Sequence, residues 1–455
     1  MMNTQASTGR RVATIRALPF FFSENFFLLF AGASLVLVLA YPYLSGGIGI
    51  LLIIDTLILS LAVVDFLLPP HGRAIDVSRP IPYPLVVDKS NEITLEVVNR
   101  TGRDVSLIVQ DDVPATCVAK ALPLRAKAKP GSGNRLTYRL VPLERGNGEF
   151  GNVTLWTRGR LGLVWKRREC HTARVVKLYP GLALIEKHAL RIRHISREEQ
   201  IRPLRKRGTG AELDSLREYV AGDDARQIHW RTSARRGKLV VRIDRMERSQ
   251  NIFLVLDTGR MMTGRAQGKT KLDHSLNAAL LLAYSALQVG DKVGVMAIGQ
   301  EIEAFLPPSS SPGQFARIME STYALLPKLE EPRYYRALSG ISGKLKRRSL
   351  VVLFTDLVDE RSSTGLLRYS LGLLPRHLPL VVALSDSELI AMAERPPESE
   401  QDLYRQGVAA EMLRRRELLV AKLSSLGAMV LDVPPENLSA AVLDRYLEIK
   451  ASRVL

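Results

Sequence analysis

Two long apolar runs near the start of the chain limit its possible folds more than any other feature. The first reads "FFLLFAGASLVLVLAYPYL" (26–44) and the second "IGILLIIDTLILSLAVVDFLL" (48–68). Each has about the twenty residues that a helix needs to cross the hydrocarbon core of a bilayer. A signal peptide is the alternative, but no A-x-A-like cleavage site follows the first run. The sequence therefore predicts a transmembrane helical hairpin after a cytoplasmic tail at 1–25.

Charges on either side of these runs predict the orientation of the hairpin. Arginines precede the first run and follow the second (residues 10, 11, 16, 73 and 79). By the positive-inside rule, both termini and the soluble domains belong in the cytoplasm, and the predicted location is the bacterial cytoplasmic (inner) membrane. Asp55 lies inside the second run, where its charge favours pairing with a neighbouring helix. Asp65 lies near the end of that run and is interpreted as interfacial.

The net charge of +18 indicates an anionic partner, which could be nucleic acid, a membrane surface or an acidic protein. The most basic stretch, "HALRIRHISREEQIRPLRKRGTG" (188–210), contains no aromatic residue on which bases could stack. Nucleic acid is therefore an unlikely partner, and a solvated linker or a contact with lipid headgroups is preferred. Cys117 and Cys170 form no CxxC pair, so no disulfide framework is expected.

Two composition patterns divide the rest of the chain. Short runs rich in β-branched residues alternate with turn residues over 73–180, which predicts an all-β, β-sandwich-like domain. A basic linker and a charged motif occupy 181–248. Over 249–455, continuous apolar strands alternate with helical patterns, which predicts a doubly wound α/β domain with a parallel sheet. Ligands bind such sheets at the carboxyl ends of the strands, where Asp257 and Asp356 stand.

The charged motif, "REYVAGDDARQIHWRTSAR" (217–235), holds acids, a histidine and arginines within a few residues. Asp223, Asp224 and His229 could form an acid–base group, which leaves a hydrolase as one hypothesis. Carboxylates among several guanidinium groups more often form hydrogen-bonded structural networks. The preferred interpretation is a structural or partner-contact network in which Trp230 packs against the edge of the domain.

The same motif resembles the signature of the domain of unknown function 58 family. That signature reads approximately R-E-Y-x-x-G-D-D-x-R-x-I-x-W-x-x-S/T-A-R, then a strand, then L-D-x-x-x-x-M. The positions that agree include the following: Arg217, Glu218, Tyr219, Gly222, Asp223, Asp224, Arg226, Ile228, Trp230, Ala234, Arg235, Leu256, Asp257 and Met262.

The resemblance implies an α/β domain similar to the von Willebrand factor type A fold. It also implies a non-enzymatic role beside a MoxR-type AAA+ ATPase in the assembly or maturation of other proteins. Related type A domains hold a divalent cation through a D-x-S-x-S loop and a later Asp. Here Asp257 and Asp356 match the two carboxylates, but Gly259 and Met261 replace both hydroxyl residues. A magnesium site at Asp257 and Asp356 is therefore degenerate, and no cofactor is expected.

Together these features predict a membrane-anchored, non-enzymatic scaffold or adaptor. The resemblance implies that it binds proteins, including a MoxR-type ATPase. The predicted partner contacts are the signature residues Arg217, Tyr219, Asp223, Asp224, Arg226, Trp230 and Arg235. The alternatives are metal-dependent protein binding through Asp257 and Asp356, and hydrolysis by Asp223, Asp224 and His229. Nothing in the sequence specifies a client protein, a pathway or an oligomeric state.

Overall fold

A computed structural model describes the chain with several gaps. The described residues are 20–40, 47–67, 74–181, 185, 187, 212–220, 228–245, 249–357, 365, 368, 372–374 and 376–452. The chain divides into two compact units, Met1–Tyr179 and Pro180–Leu455. The domain boundaries expected from the sequence stay predictions.

The first unit is built from three sheets over its described residues. The sheet orders are β1-β11-β10-β5-β7, β2-β4-β8-β6 and β3-β12-β9, and all neighbours are antiparallel except β3 and β12. Their bounds are β1 Phe20–Phe22, β2 Ile75–Ser78, β3 Leu85–Val86, β4 Asn91–Asn99, β5 Val105–Asp111, β6 Cys117–Lys120, β7 Leu124–Ala128, β8 Gly133–Pro142, β9 Gly146–Phe150, β10 Val153–Arg158, β11 Val164–Cys170 and β12 Arg174–Tyr179.

The sheets of this unit share one apolar core. In β4, "NEITLEVVN", the side chains of Ile93, Leu95 and Val97 are buried, whereas those between them are partly exposed. This alternation follows from the two-residue period of a strand. Leu107 and Leu155 from the five-stranded sheet join the same core. The residues at alternating positions of these strands therefore face away from it.

Two helices occupy the region of the predicted transmembrane spans, α1 (Glu24–Ala40) and α2 (Gly47–Leu67). Among the described residues, no helix has both the length and the apolarity required to cross a bilayer. The predicted transmembrane hairpin, and the fold class that included it, are therefore wrong. α1 has 17 residues, about 25 Å at 1.5 Å per residue, against a hydrocarbon core of about 30 Å. α2 carries both Asp55 and Asp65.

The carboxylate of Asp65 is buried, so the interfacial position expected for it is also wrong. Its oxygens accept hydrogen bonds from the backbone N–H groups of Leu161 (2.8 Å), Leu163 (2.9 Å) and Val164 (3.1 Å). These donors lie in the turn between β10 and β11, so one side chain fixes α2 to the five-stranded sheet. For Asp55, the described part of the chain contains no hydrogen-bond partner of Oδ1, so the expected pairing is not observed.

We expect Asp65→Ala to destabilise the first unit. Two buried N–H donors and one partly buried donor would lose their acceptor, and each buried group left unsatisfied costs about 1–3 kcal/mol. Thermal unfolding of the full chain measures the change, and Asp104→Ala is the control because Asp104 is exposed. Equal melting temperatures for the two variants would contradict the anchoring role.

The described strands of the second unit's main sheet have the order β19-β18-β15-β20-β21-β22. All neighbours are parallel except β18 and β19. The strand bounds in this unit are β13 Glu212–Glu218, β14 Val240–Arg245, β15 Asn251–Asp257, β16 Arg265–Ala266, β17 Lys269–Thr270, β18 Lys292–Ile298, β19 Ile302–Ser309, β20 Ser349–Thr355, β21 Leu378–Leu384 and β22 Met429–Val433. The helices are α3 Trp230–Arg236, α4 Lys271–Gln288, α5 Gln314–Thr322, α6 Tyr334–Lys344, α7 Ser387–Glu394, α8 Glu400–Ser425 and α9 Leu438–Ser452.

Both faces of this sheet are covered. Every residue of β20 is buried, which explains why the strand reads as a continuous apolar run. One alternating set of strand residues packs in a core cluster with α6 and α8. Helix α4 contacts β15 and β18. The parallel strands lie where the apolar runs indicated them, whereas β19, α6 and α7 were not predicted.

Candidate functional site

The signature motif forms a small β-α-β unit. Strands β13 and β14 pair in antiparallel register, and α3 lies between them along the chain. Gly237 ends α3 in the left-handed conformation (φ 64°), which glycine adopts without steric cost. Ser233 fixes the helix to β14, because its hydroxyl accepts a hydrogen bond of 2.9 Å from the Val240 amide.

His229 caps the N-terminus of α3. Its Nδ1 accepts a hydrogen bond from the amide of Thr232 (3.3 Å) and lies 2.8 Å from the Thr232 hydroxyl oxygen. Helix N-termini leave backbone N–H groups without partners, and a side-chain acceptor at this position satisfies one of them. The histidine therefore has a structural role that accounts for its place in the motif.

Trp230 follows His229 and is the first residue of α3. Its side chain is 67% exposed, so the expected packing against the domain edge is wrong. Arg231, Arg235 and Arg236 on the same helix are also exposed. Arg231 and Arg235 are four residues apart and lie on one face of the helix. The helix therefore exposes a large aromatic side chain and three guanidinium groups.

The other predicted contact residues are only partly described. Arg217 donates a hydrogen bond to the backbone oxygen of Glu218 (3.1 Å), and the Tyr219 amide bonds to Leu239 (2.9 Å). Asp223, Asp224 and Arg226 lie outside the described residues. Their expected role in the charge network stays a prediction.

Asp257 lies at the carboxyl end of β15 and is fully buried. Its Oδ1 accepts a hydrogen bond from the Gly259 amide (2.7 Å), and its Oδ2 accepts from the hydroxyls of Tyr334 and Thr355 (both 2.6 Å). Burial raises the pKa of this carboxyl group, and the three hydrogen bonds oppose the increase. All the contacts at Asp257 come from neutral donors.

Asp356 follows β20 and is held by two cations. Lys271 Nζ lies 2.7 Å from Oδ2, and Arg416 Nη1 lies 2.7 Å from Oδ1. Arg416 also forms a two-point pair with Asp432, with both N–O distances at 2.8 Å. The side chain of Asp356 is 2% exposed and those of Lys271 and Arg416 are 10% and 9%. This ionic cluster connects α4, β20, α8 and β22.

A cavity of about 440 Å³ lies over this ionic cluster. Its walls include Arg260, Met261, Leu389 and Met412, with Lys271 at its base. Sequence reasoning identified Asp356 but missed its two cationic partners. Arg416 is 60 residues away along the chain, inside a run of three arginines, so no local spacing marks it.

The oxygens at the predicted metal site fit a cation poorly. A hard divalent ion takes six or more oxygen ligands, several of them carboxylates. Here Asp356 already pairs with two cations, and a side chain at Gly259 would place its Cβ 2.6 Å from Pro332. Hydroxyls that might substitute are also engaged: Thr258 bonds to Glu303, and Thr263 bonds to the Arg260 carbonyl. Within the described ranges, no group of three His, Cys, Asp or Glu residues could hold a metal.

We expect Arg416→Met to destabilise the second unit by about 3–5 kcal/mol, because it removes one of the two cations that compensate the buried carboxylate of Asp356. Arg415→Met is the matched control on the same helix, since Arg415 is exposed and pairs with Glu411 in a surface salt bridge. Denaturant unfolding of both variants gives the two free energies. Equal losses would contradict the importance assigned to the ionic cluster.

Metal binding at Asp257 and Asp356 stays a prediction that a titration can decide. With the donors as arranged, we expect millimolar Mg²⁺ to leave the melting temperature of the full chain unchanged beyond the effect of ionic strength. A bound ion would stabilise the folded state by mass action. A rise in melting temperature that Asp257→Ala removes would establish the site.

Comparison with known proteins finds a family model that matches the segment containing the signature. Residues 215–389 match the family model described as "Protein of unknown function DUF58". The resemblance noted in the sequence is therefore confirmed over that segment. The implied type A fold and the pairing with a MoxR-type ATPase stay predictions.

One curated relative is the "Uncharacterized protein YeaD" of Bacillus subtilis (strain 168). It is 24% identical over 173 residues, which cover 37% of this chain and 40% of the relative. This chain thus matches less than half the length of that relative.

Solved structures show only distant likenesses. The hypothetical protein BatB from Bacteroides thetaiotaomicron is 13% identical with a TM-score of 0.30, covering 45% of this chain and 98% of the other. A segment of Escherichia coli alpha-2-macroglobulin, from domain MG7 to the C-terminus, is 17% identical with a TM-score of 0.21. That match covers 23% of this chain and 16% of the other. Neither likeness bears on the function of this chain.

Proposed function

We propose that this protein is a non-enzymatic adaptor that binds a protein partner through the surface of α3. The observation that carries the proposal is the exposure of Trp230 on the same short helix as Arg231, Arg235 and Arg236, which are also exposed. Tryptophan and arginine are enriched among the residues that contribute most to protein interfaces. An isolated protein leaves such a tryptophan in water at a cost that burial in a partner would recover.

The surroundings of Trp230 suit a fixed contact surface. His229 and Gly237 cap the two ends of α3, and Ser233 bonds to β14. A helix held at three points presents its exposed side chains with little loss of conformational freedom on binding, which favours affinity. The arginines would add electrostatic attraction to an acidic surface.

The described polar residues give little support to catalysis in the signature or at the strand ends. Nδ1 of His229 serves as a helix cap, and Asp356 is neutralised within the ionic cluster. A general base needs free access to the proton that it removes. These contacts favour the adaptor over the hydrolase hypothesis. They equally favour it over metal-dependent binding, because neither strand-end carboxylate offers an uncommitted oxygen pair.

The proposed partner is a MoxR-type AAA+ ATPase, with which the protein would act in the assembly or maturation of other proteins. This choice rests on the family resemblance of the signature and on the positive charge of α3, which suits an acidic patch on the ATPase.

Trp230→Ala tests the surface. We expect the affinity for the MoxR-type ATPase of the same genome to fall about thirtyfold, since an interface hot spot contributes 2 kcal/mol or more. Surface plasmon resonance in the presence of a non-hydrolysable ATP analogue measures the affinity. Tyr404→Ala is the control, because Tyr404 is a helical aromatic residue that is 75% exposed outside the signature.

The binding measurements test the role of α3 and the identity of the partner separately. Binding that both variants retain would contradict the role of α3 while leaving an ATPase partnership. No binding by the unmodified chain would contradict the partnership itself.

A further inference from the structure

The first unit carries a second surface, partly exposed, that the signature does not explain. It is the face of the five-stranded sheet that points away from the apolar core. We call it the sheet platform, and its members are Phe21, Ser106, Ile108, Arg125, Lys127, Trp156, Arg158, Trp165 and Arg167. Their strand neighbours Leu107 and Leu155 point into the core, which fixes the outward direction of this set.

The strand register arranges the platform in rows of aromatic and cationic side chains. In one row, Arg167 pairs with Trp156, Trp156 with Ile108, and Ile108 with Arg125. This row therefore crosses four strands; it ends in Arg125 on β7 and in Arg167 on β11, which forms a salt bridge of 2.6 Å with Glu169. Adjacent strands lie about 4.8 Å apart, so the row is about 14 Å long.

A second row repeats the arrangement one step along the strands. Phe21 pairs with Trp165, and Trp165 pairs with Arg158, whose guanidinium carbon lies 6.0 Å from the indole centroid. The rings of Phe21 and Trp165 are stacked with centroids 6.0 Å apart. On the same face, at the opposite edge of the sheet, Lys127 of β7 pairs with Ser106 of β5.

A groove of about 390 Å³ lies over part of these rows. Trp165 and Ile108 provide its apolar surfaces, while Arg125, Lys127 and Arg158 provide three positive charges. Glu24 is the acidic residue at its edge. Its volume is sufficient for a nucleotide, and its charge is complementary to a phosphate backbone.

We propose that the sheet platform binds single-stranded nucleic acid, with bases stacked on Trp156 and Trp165 and phosphates paired with Arg125, Lys127 and Arg158. Proteins that bind single strands without sequence preference combine a positively charged groove with aromatic side chains on which the bases stack. Here one face of one sheet brings both features together.

Nucleic acid suits the platform better than an acidic protein or a lipid headgroup does. A lipid headgroup or a run of carboxylate side chains would satisfy the cations, but neither brings the planar ring that a nucleotide carries beside each phosphate. The sequence could not reveal this surface, because its cations and aromatics come from four separate strands. The most basic continuous stretch, 188–210, has no aromatic residue and led to the opposite expectation about nucleic acid.

Fluorescence anisotropy of labelled oligothymidylate tests the proposal with the full-length protein. We expect an oligonucleotide of about twelve nucleotides to bind with a Kd on the order of 10⁻⁶–10⁻⁴ M near physiological salt. Trp156→Ala and Trp165→Ala should each weaken binding roughly five- to hundredfold. In a Trp230→Phe background, which leaves only these two tryptophans, binding should quench their fluorescence.

Two double variants with the same change in charge distinguish binding at the sheet platform from attraction by the net charge of the protein. Arg125→Glu with Lys127→Glu alters the platform, whereas Lys120→Glu with Arg139→Glu makes the same charge change on the four-stranded sheet of the same unit. Lys120 and Arg139 are exposed and face each other on neighbouring strands. Only the platform variant should bind the oligonucleotide more weakly. The slope of its log Kd against log salt concentration should also fall by about 1.4, which is about 0.7 for each of two lost phosphate contacts.

Three results would overturn the proposal. The first is equal weakening by the two double variants, which would indicate non-specific attraction. The second is polyglutamate binding that matches the oligonucleotide and is insensitive to Trp156→Ala, which would indicate an acidic protein ligand. The third is binding to phosphatidylglycerol vesicles that depends on the platform when oligonucleotide binding does not.

Discussion

The neutralisation of Asp356 by Lys271 and Arg416 is the interaction on which the second unit depends most. A carboxylate withdrawn from water at a strand end costs several kcal/mol unless opposite charge replaces its hydration. The chain supplies that charge from α4 and α8, and Arg416 carries it on to Asp432 beside β22. The same contacts occupy the oxygens that a metal ion would need. The carboxylate of Asp356 therefore cannot both pair with these two cations, which stabilises the end of β20, and bind a metal ion.

Charged side chains are buried at the strand ends and exposed in the signature. This difference in burial gives the same residue types opposite roles in the two places. Arg416 is buried and serves the fold, whereas Arg231 and Arg235 are exposed and available to a partner. The ring of His229 completes the N-terminus of α3, which gives this histidine a structural role. The crowding of these residue types, which suggests chemistry in the sequence, corresponds in the described structure to a capped helix with an exposed tryptophan.

Elements of the fold that are encoded by one continuous stretch of sequence could be predicted. Continuous apolar runs marked the parallel strands, and the end of such a run marked Asp257. Contacts between distant residues could not be predicted, because no spacing links Asp356 to Arg416 or Asp65 to the amide of Leu163. The transmembrane hairpin was predicted wrongly from the length and apolarity of the two runs. These properties did not reveal that α1 has 17 residues or that Asp65 in α2 bonds to the backbone of the sheet. Similarly, the sheet platform has no counterpart in any continuous stretch of sequence.

The central claim is that the exposed face of α3 is the contact surface for a protein partner. Hydrogen–deuterium exchange of the full chain, with and without the MoxR-type ATPase, tests it most directly. Protection of backbone amides should increase at α3 and at the start of β14, with little change in α8. Protection confined to α8 or to the strand ends at Asp257 and Asp356, with none at α3, would contradict the claim.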